Sequence, residues 1–227
     1  MKLPAATPYA FVTLLMRARY AALCECMNRS LARTTHHPLI VIHGNRTLVA
    51  GYPWHAGVEE LQQRLVDGRR LYEWRHFSAM IRLKFLAWTL TEYERLVFLD
   101  ADTYVNRDIS GLFATPLAAP IAAAPCNMDP RIFNSGVMVF RPSHREARAL
   151  MAQRARRPAC ERRVTDQSIL NTRYAHPNWT ALPESYNYAR RRGSFRDRRA
   201  VAQHHVWHAT AEPKPNFCAA RTRRPTA

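Results

Sequence analysis

Short continuous apolar runs alternate with stretches in which apolar positions recur every three or four residues, and the alternation persists through the first 110 residues. Continuous runs of about four to eight residues read as strands buried on both faces, and the wider spacing reads as helix. Residues 9–16 therefore form a first buried strand, and 20–31 a helix carrying Ala21, Ala22, Leu23 and Met27. Residues 38–42 form a second buried strand, closed by the turn-forming Gly44-Asn45 pair. Helical spacing returns over 58–66, and 70–74 reads as a third strand. The most regular helix is expected over 78–90, with Ser78 as its cap and Ile81, Leu83, Phe85, Leu86, Trp88 and Leu90 as its packed positions. Leu96-Val97-Phe98-Leu99 is the next buried strand. Strands over 121–124 and 136–140, helices over 145–155 and 166–173, and a last short strand over 203–207 complete the pattern. Alternating strands and helices predict an α/β sheet with crossover helices. No internal repeat or low-complexity linker divides the chain, so one domain over 1–220 is expected, followed by a frayed basic tail over 221–227.

The strand at 96–99 runs straight into Asp100-Ala101-Asp102. In open α/β sheets ligands gather at the carboxyl ends of strands. On an extended chain, side chains two residues apart point the same way. The pair thus offers hard oxygen ligands to one divalent cation, with positions left open for substrate phosphates; the competing reading is a solvated loop. His204, His205 and His208 lie farther on, followed by Lys214 between Pro213 and Pro215. One His added to two carboxylates suits Mn²⁺, a structural histidine being the alternative, and Lys214 is then placed to face nucleotide phosphates. In Phe133-Asn134-Ser135-Gly136, the glycine permits close backbone approach and Asn134 offers an amide to sugar hydroxyls, unless the run is simply a turn before a strand. Asp166-Gln167 heads a predicted helix, where a carboxylate reads equally as a cap favoured by the helix dipole or as a catalytic group.

Composition narrows the classes. A chain of 227 residues that is 47% hydrophobic builds a full core. Lys+Arg 34 against Asp+Glu 17 leaves +17, which fits a solvated basic surface or an anionic partner. The densest run, Arg190-Arg191-Arg192 continuing to Arg196, Arg198 and Arg199, carries no RNA-recognition, helix-turn-helix or zinc-finger pattern, so nucleic acid is not expected as a partner. The cysteines, Cys24, Cys26, Cys126, Cys160 and Cys218, are odd in number and form no CxxC pair. Neither a zinc site nor a disulfide framework is expected, and a reducing compartment is. No apolar segment follows a basic start, and the apolar run at 10–16 is too short to span a bilayer, so the expected location is cytoplasmic. The sequons at Asn28, Asn45 and Asn178 then read as chance matches. Gly-x-Ser-x-Gly, Walker and Gly-x-Gly-x-x-Gly motifs are absent. With 7 Gly there is no glycine-rich phosphate cradle, and a bound cation would have to neutralise most phosphate charge.

These pieces recur together in one family. The order is Ala10-Phe11-Val12-Thr13-Leu14 with Tyr20 downstream, then Lys84 and Leu90-Thr91-Glu92-Tyr93-Glu94-Arg95 leading into Leu96 through Thr103. Phe133-Asn134-Ser135-Gly136-Val137, Asp166-Gln167-Ser168-Ile169-Leu170-Asn171, Leu182-Pro183-Glu184-Ser185-Tyr186-Asn187 and His208 with Lys214-Pro215 follow. Over about residues 10–216 the chain resembles the family-8 glycosyltransferases, and within them the glycogenin-like branch. The resemblance implies a GT-A fold, a Rossmann-like, mostly parallel sheet flanked by helices. It places Mn²⁺, with Mg²⁺ as the substitute, on Asp100, Asp102 and His208. It places the uracil at Leu14 and Tyr20, and the diphosphate at Lys214 and along Asp100-Ala101-Asp102. Lys84 falls near the sugar and phosphates, and Asn134, Ser135, Asp166 and Gln167 line the sugar pocket. Transfer retains anomeric configuration in the family. Asp166 is the candidate nucleophile, Gln167 the alternative group near the anomeric carbon, and same-face attack without a covalent adduct is preferred.

The pattern departs from the family at Met16-Arg17, at Cys126 with Asp129 three residues on, and at Ala211. The stretch 189–200, where glycogenin carries its self-glucosylated tyrosine, holds no Tyr here, so self-glucosylation at that place is not expected. The expected activity is hexose transfer, first from UDP-glucose, to a glycan, polyol or protein hydroxyl. UDP-galactose, UDP-N-acetylglucosamine and UDP-glucuronate are the other donors. The alternatives are a nucleotide-sugar hydrolase on the same fold and a non-catalytic basic protein that binds anionic polymer. Family members often form homodimers, although no interface signature stands out here.

Overall fold

The computed structural model describes residues 1–4, 7–65, 80–155, 164–189, 203–210 and 218. Strand β1 (Tyr9–Leu15) leads into α1 (Ala21–Ala32), β2 (Leu39–His43), β3 (His55–Gly57) and α2 (Val58–Gln63). A 3-10 segment, Leu83–Thr89, precedes β4 (Arg95–Leu99), β5 (Thr103–Val105), β6 (Ile121–Cys126) and β7 (Asp129–Phe140). Helices α3 (His144–Ala152) and α4 (Asp166–Arg173) then lead to β8 (Thr180–Ala181), β9 (Tyr188–Ala189) and β10 (Val206–His208).

A seven-stranded sheet runs in the order β3-β2-β1-β4-β7-β6-β8. All of its pairings are parallel except those that β7 makes with β4 and β6. Side-chain alternation divides the core into two layers. Ala10, Val12, Ile40, Ile42, Leu96 and Phe98 face one side, with residues of the 3-10 segment, α3 and α4. Phe11, Leu15, Leu39, Val41, Val97 and Leu99 face the other, with residues of α1 and with Phe113. That two-sided burial is why these strands read as unbroken apolar runs rather than as alternating ones. A smaller sheet, β5-β10-β9, packs against α1 through Cys26, Tyr104, Tyr188, Trp207 and Ala209.

Several elements differ from the sequence expectation. The helix expected over 78–90 is a 3-10 segment at Leu83–Thr89, every residue of which is buried. Apolar positions three apart suit the 3-10 repeat as well as the α one, and burial on all sides removes the polar face that would favour an amphipathic helix. Ser78 and the strand expected at 70–74 lie outside the described residues. The strand expected over 203–207 is displaced to Val206–His208, where it pairs antiparallel with β5. The strand expected at 136–140 begins earlier, at Asp129, because its first half pairs with β6.

The cysteine expectation is also corrected: Cys26 and Cys218, 192 residues apart, form a disulfide. The docking of α1 on the small sheet brings them together, and a cysteine count carries no information about that contact. Cys24 and Cys126 are free, and Cys160 lies outside the described residues, as does the tail at 221–227. Among the described residues, no helix is long and apolar enough to cross a membrane.

Candidate active site

The site lies where β4 ends. The register Leu99↔Val137 carries β7 past that end, and the next rung is Asp100 N–H donating to Gly136 O at 2.8 Å. Thr103 then donates to Asp100 O from both its backbone N (3.0 Å) and its Oγ1 (2.8 Å), which folds the chain into a tight turn. Asp100 and Asp102 therefore bracket a turn, and do not share a face of an extended strand as their spacing predicts. Asp102 O accepts from Ala209 N at 3.1 Å, so the second carboxylate is tied to the small sheet while the first belongs to the large one.

His208, buried at 6% exposure, closes the group from β10. Its Nε2 lies 3.5 Å from Asp100 Oδ2 and 3.4 Å from Asp102 Oδ1. The other two histidines of the cluster go elsewhere: His205 stacks on Tyr186 with ring centroids 4.4 Å apart, and His204 on Tyr188 at 3.6 Å. The three ligand atoms of Asp100, Asp102 and His208 lie within 4.8 Å of one another. Two ligands at right angles on an octahedral ion of radius near that of Mg²⁺ lie about 3 Å apart, so two oxygens and one imidazole nitrogen at these separations fit one divalent ion. Mixed carboxylate and imidazole donation is open to several first-row divalent ions.

A second cluster adjoins the first. Lys84 Nζ, on the 3-10 segment, lies 2.8 Å from Asp100 Oδ1 and 2.6 Å from Asp166 Oδ2, and it donates to Ser135 O at 3.2 Å. It also sits over the Phe98 ring, 4.8 Å from its centroid. Burial works against the Lys84 charge, yet the two carboxylates outweigh it and hold the ammonium well above the usual lysine range. Burial pushes the Asp100 carboxyl upward, opposed by Lys84 and His208.

Asp166 is the first residue of α4, but it is not the cap. Thr165 accepts from Ser168 N at 3.3 Å, and Ser168 Oγ accepts from Thr165 N at 2.9 Å. With the helix terminus satisfied in this way, the Asp166 carboxylate is left to accept from Ser135 Oγ at 2.9 Å. Gln167 accepts from Ser135 N at 3.2 Å. Asn134 spends its oxygen on Gly136 N (2.9 Å) and Asn187 Nδ2 (2.8 Å), leaving its NH₂ group to meet a ligand.

Lys84, Asp100, Asp102, Ser135, Asp166, Gln167 and His208 thus meet in one connected group. Ala101 is the single residue between the two carboxylates and is buried. Leu14 is the penultimate residue of β1, and the register Val12↔Phe98 carried two residues on sets it level with Asp100. Tyr20, under the Arg19 guanidinium at 5.0 Å, stands immediately before α1 and packs on the α1 face of the sheet, whereas Leu14 packs on the opposite face. Lys214 lies outside the described residues.

Two residues carry more than their motifs indicate. Asn171 grips β7 by accepting from Phe133 N (2.8 Å) and donating to Phe133 O (2.9 Å). Asn187 reaches His208 Nδ1 at 3.1 Å. Both close motifs that carry the family resemblance, Asn171 after Ile169-Leu170 and Asn187 between two tyrosines, but nothing in those motifs indicates these contacts.

Comparisons with known proteins agree with this geometry. The family model described as Glycosyl transferase family 8 matches residues 58–211. UDP-glucuronate:xylan alpha-glucuronosyltransferase 2 of Arabidopsis thaliana is 29% identical over 182 residues, covering 79% of this chain and 29% of that protein. Human glycogenin-2 is 36% identical over 110 residues, covering 46% of this chain and 21% of that protein. The chain therefore spans less than a third of the length of either relative. The solved apo structure of the bifunctional glycosyltransferase WbbM superposes with a TM-score of 0.65 at 17% identity, covering 93% of this chain and 47% of that one. The galactosyltransferase LgtC, solved with donor and acceptor sugar analogues, gives 0.55 at 15% identity and 93% coverage of each chain. At such identities the likeness concerns the fold, which is the expected GT-A arrangement.

Proposed function

Because this chain belongs to glycosyl transferase family 8, we propose that it transfers a hexose from a UDP-sugar to a hydroxyl group, with Mn²⁺ bound and anomeric configuration retained. The observation that carries the reading is the meeting of Asp100, Asp102 and His208 beside the Lys84–Asp166–Ser135 cluster. The first group would hold the metal, which when bound supplies positive charge against the departing diphosphate. The second group lies where the sugar of such a donor would sit, next to the metal ligands and at the carboxyl edge of the sheet. Lys214 is the further candidate for the diphosphate, and Leu14 and Tyr20 for the uracil.

The environment of Asp166 favours same-face attack. A nucleophilic carboxylate needs available electron density, and Asp166 Oδ2 already faces Lys84 and accepts from Ser135. Its charge is spent on holding the cluster together. It acts better as the anchor for Lys84 and Ser135, keeping both groups in place beside the sugar, than as an attacking group. Gln167, whose Oε1 accepts from Ser135 N, is the alternative group near the anomeric carbon.

UDP-glucose is the first donor to test and UDP-glucuronate the second, since the relatives include a glycogenin and a glucuronosyltransferase. Thermal stability is measured with UDP-glucose, UDP-glucuronate, UDP-galactose and UDP-N-acetylglucosamine, with and without Mn²⁺. A ligand that binds the native state alone raises the midpoint by mass action. The expected result is a shift with one UDP-sugar that requires metal, and loss of both that shift and transfer in Asp100→Asn. Donor breakdown with no acceptor present would instead establish a hydrolase. Full transfer by Asp100→Asn would sink the metal assignment.

A further inference from the structure

The hydrogen bonds around His208 have a direction that can be read without seeing a proton. The backbone N–H of Gly136 can only donate, and it meets the Asn134 side chain at 2.9 Å, so the atom it meets is Oδ1. The Asn187 side chain approaches that same oxygen at 2.8 Å and must present its nitrogen. The other end of the Asn187 amide, its Oδ1, then faces His208 Nδ1 at 3.1 Å. An amide oxygen cannot donate, so Nδ1 carries the proton. In the neutral ring the lone pair is therefore on Nε2, the atom 3.5 Å from Asp100 Oδ2 and 3.4 Å from Asp102 Oδ1. Gly136 fixes the ring from a second side: a Cβ built there would overlap His208 Cε1 and Nδ1. Asn187 itself is 1% exposed, so water does not compete for its amide.

We propose that Asn187 is a positioning residue that fixes the tautomer and orientation of His208, so that Nε2 joins Asp100 and Asp102 in binding a divalent cation. The proposal rests on the reading of those three residues as cation ligands, and it adds a polarity relay running from a backbone amide of β7 to the ring. Outer partners of this kind set the orientation and basicity of a metal-binding imidazole, and their loss costs about tenfold to hundredfold in metal affinity.

The test has two readouts that do not depend on transfer. Long-range ¹H–¹⁵N correlation of the imidazole in the metal-free protein at about pH 9, above the ordinary histidine range, reports the His208 tautomer. Mn²⁺ titration followed by electron paramagnetic resonance, with no nucleotide-sugar present, reports affinity. The wild-type ring is expected in the Nδ1–H form. Asn187→Leu is expected to lose the single tautomer and to weaken Mn²⁺ binding about tenfold or more. Asn187→Asp keeps an acceptor for Nδ1–H and is expected to recover both relative to Asn187→Leu. A wild-type ring in the Nε2–H form overturns the proposal and needs no variant to fold. So does an Asn187→Leu protein with wild-type tautomer and affinity. Undiminished Mn²⁺ binding in His208→Ala would overturn the underlying cation-site reading, a result distinct from either of these.

Discussion

Replacing Lys84 with Met keeps the length and most of the volume of the side chain and removes its charge. The ammonium faces Asp100 at 2.8 Å and Asp166 at 2.6 Å. At an effective dielectric of about 20, each contact is worth roughly 6 kcal/mol of gross Coulomb attraction, offset by several kcal/mol for desolvating each ion. Removing one partner of a buried pair typically costs about 3–5 kcal/mol. The Asp100 and Asp166 side chains keep 26% and 25% of their surface exposed, which places the cost at the lower end, about 3 kcal/mol. For a domain of this size that is a fall of about 6–12 °C in midpoint at pH 7. In the variant Asp100 loses the counter-charge that opposes its burial, so its folded-state pKa, already raised, climbs further above the unfolded one. A group shifted in that direction penalises the fold at high pH, and the penalty fades as pH falls through its folded-state value. Differential scanning calorimetry from pH 7 to pH 4 should therefore show the gap between wild type and Lys84→Met narrowing. Mn²⁺ should bind the variant more tightly, since a competing cation has left Asp100, while transfer is lost. A gap below about 1 kcal/mol, or one that does not change with pH, would refute the assignment of Lys84 as the counter-charge of this cluster.

Gly136→Ala forces a methyl group into His208 and should weaken Mn²⁺ binding at least about tenfold by displacing a candidate ligand, with far-UV circular dichroism unchanged. Asn171→Ala leaves both backbone groups of Phe133 buried without a side-chain partner and should cost about 3 kcal/mol, seen as a lower denaturant midpoint. His43 and His55 sit with Nε2 and Nδ1 3.3 Å apart. Burial, before the neighbouring positive charge, holds both below the usual histidine range. Their contribution to stability is therefore complete above about pH 6.5 and is lost as pH falls through the depressed values. The midpoint should drop between pH 7 and pH 5, and His55→Gln should flatten that slope; an unchanged slope would count against the pair as its source.

What the sequence disclosed followed the range of the interactions involved. β1, β2 and β4 were legible because burial on both faces leaves a local record, an unbroken apolar run. The bounds of α4 were legible to the residue, but its cap was not: the sequence offered Asp166, whereas Thr165 with Ser168 closes the helix start. The same local logic misjudged the 3-10 segment, where Leu83, Leu86 and Thr89 recur at a spacing common to two helix types, and total burial decides between them. Asp100 and Asp102 were visible as a pair, but their convergence comes from the Thr103 hydrogen bonds that tighten the turn. Capping by Thr165 settles what Asp166 is free to do. The Asn187–His208 contact and the Cys26–Cys218 bond join elements far apart in the chain, and no local pattern encodes either.

The division of the carboxylates between two sheets has a dynamic consequence. Asp100 N–H is the last rung between β4 and β7, whereas Asp102 and His208 belong with the β5–β10 ladder, and Ala101 alone separates the two. Proteins open in cooperative pieces well before they unfold as a whole. A fluctuation that releases the three-stranded sheet would leave Asp100 in place and carry off Asp102 and His208, the other two candidate ligands. Amide exchange at Trp207 and at Asp100 should then proceed at different rates without metal and converge when Mn²⁺ is added. The cation would act as a fastener that turns two independently opening pieces into one.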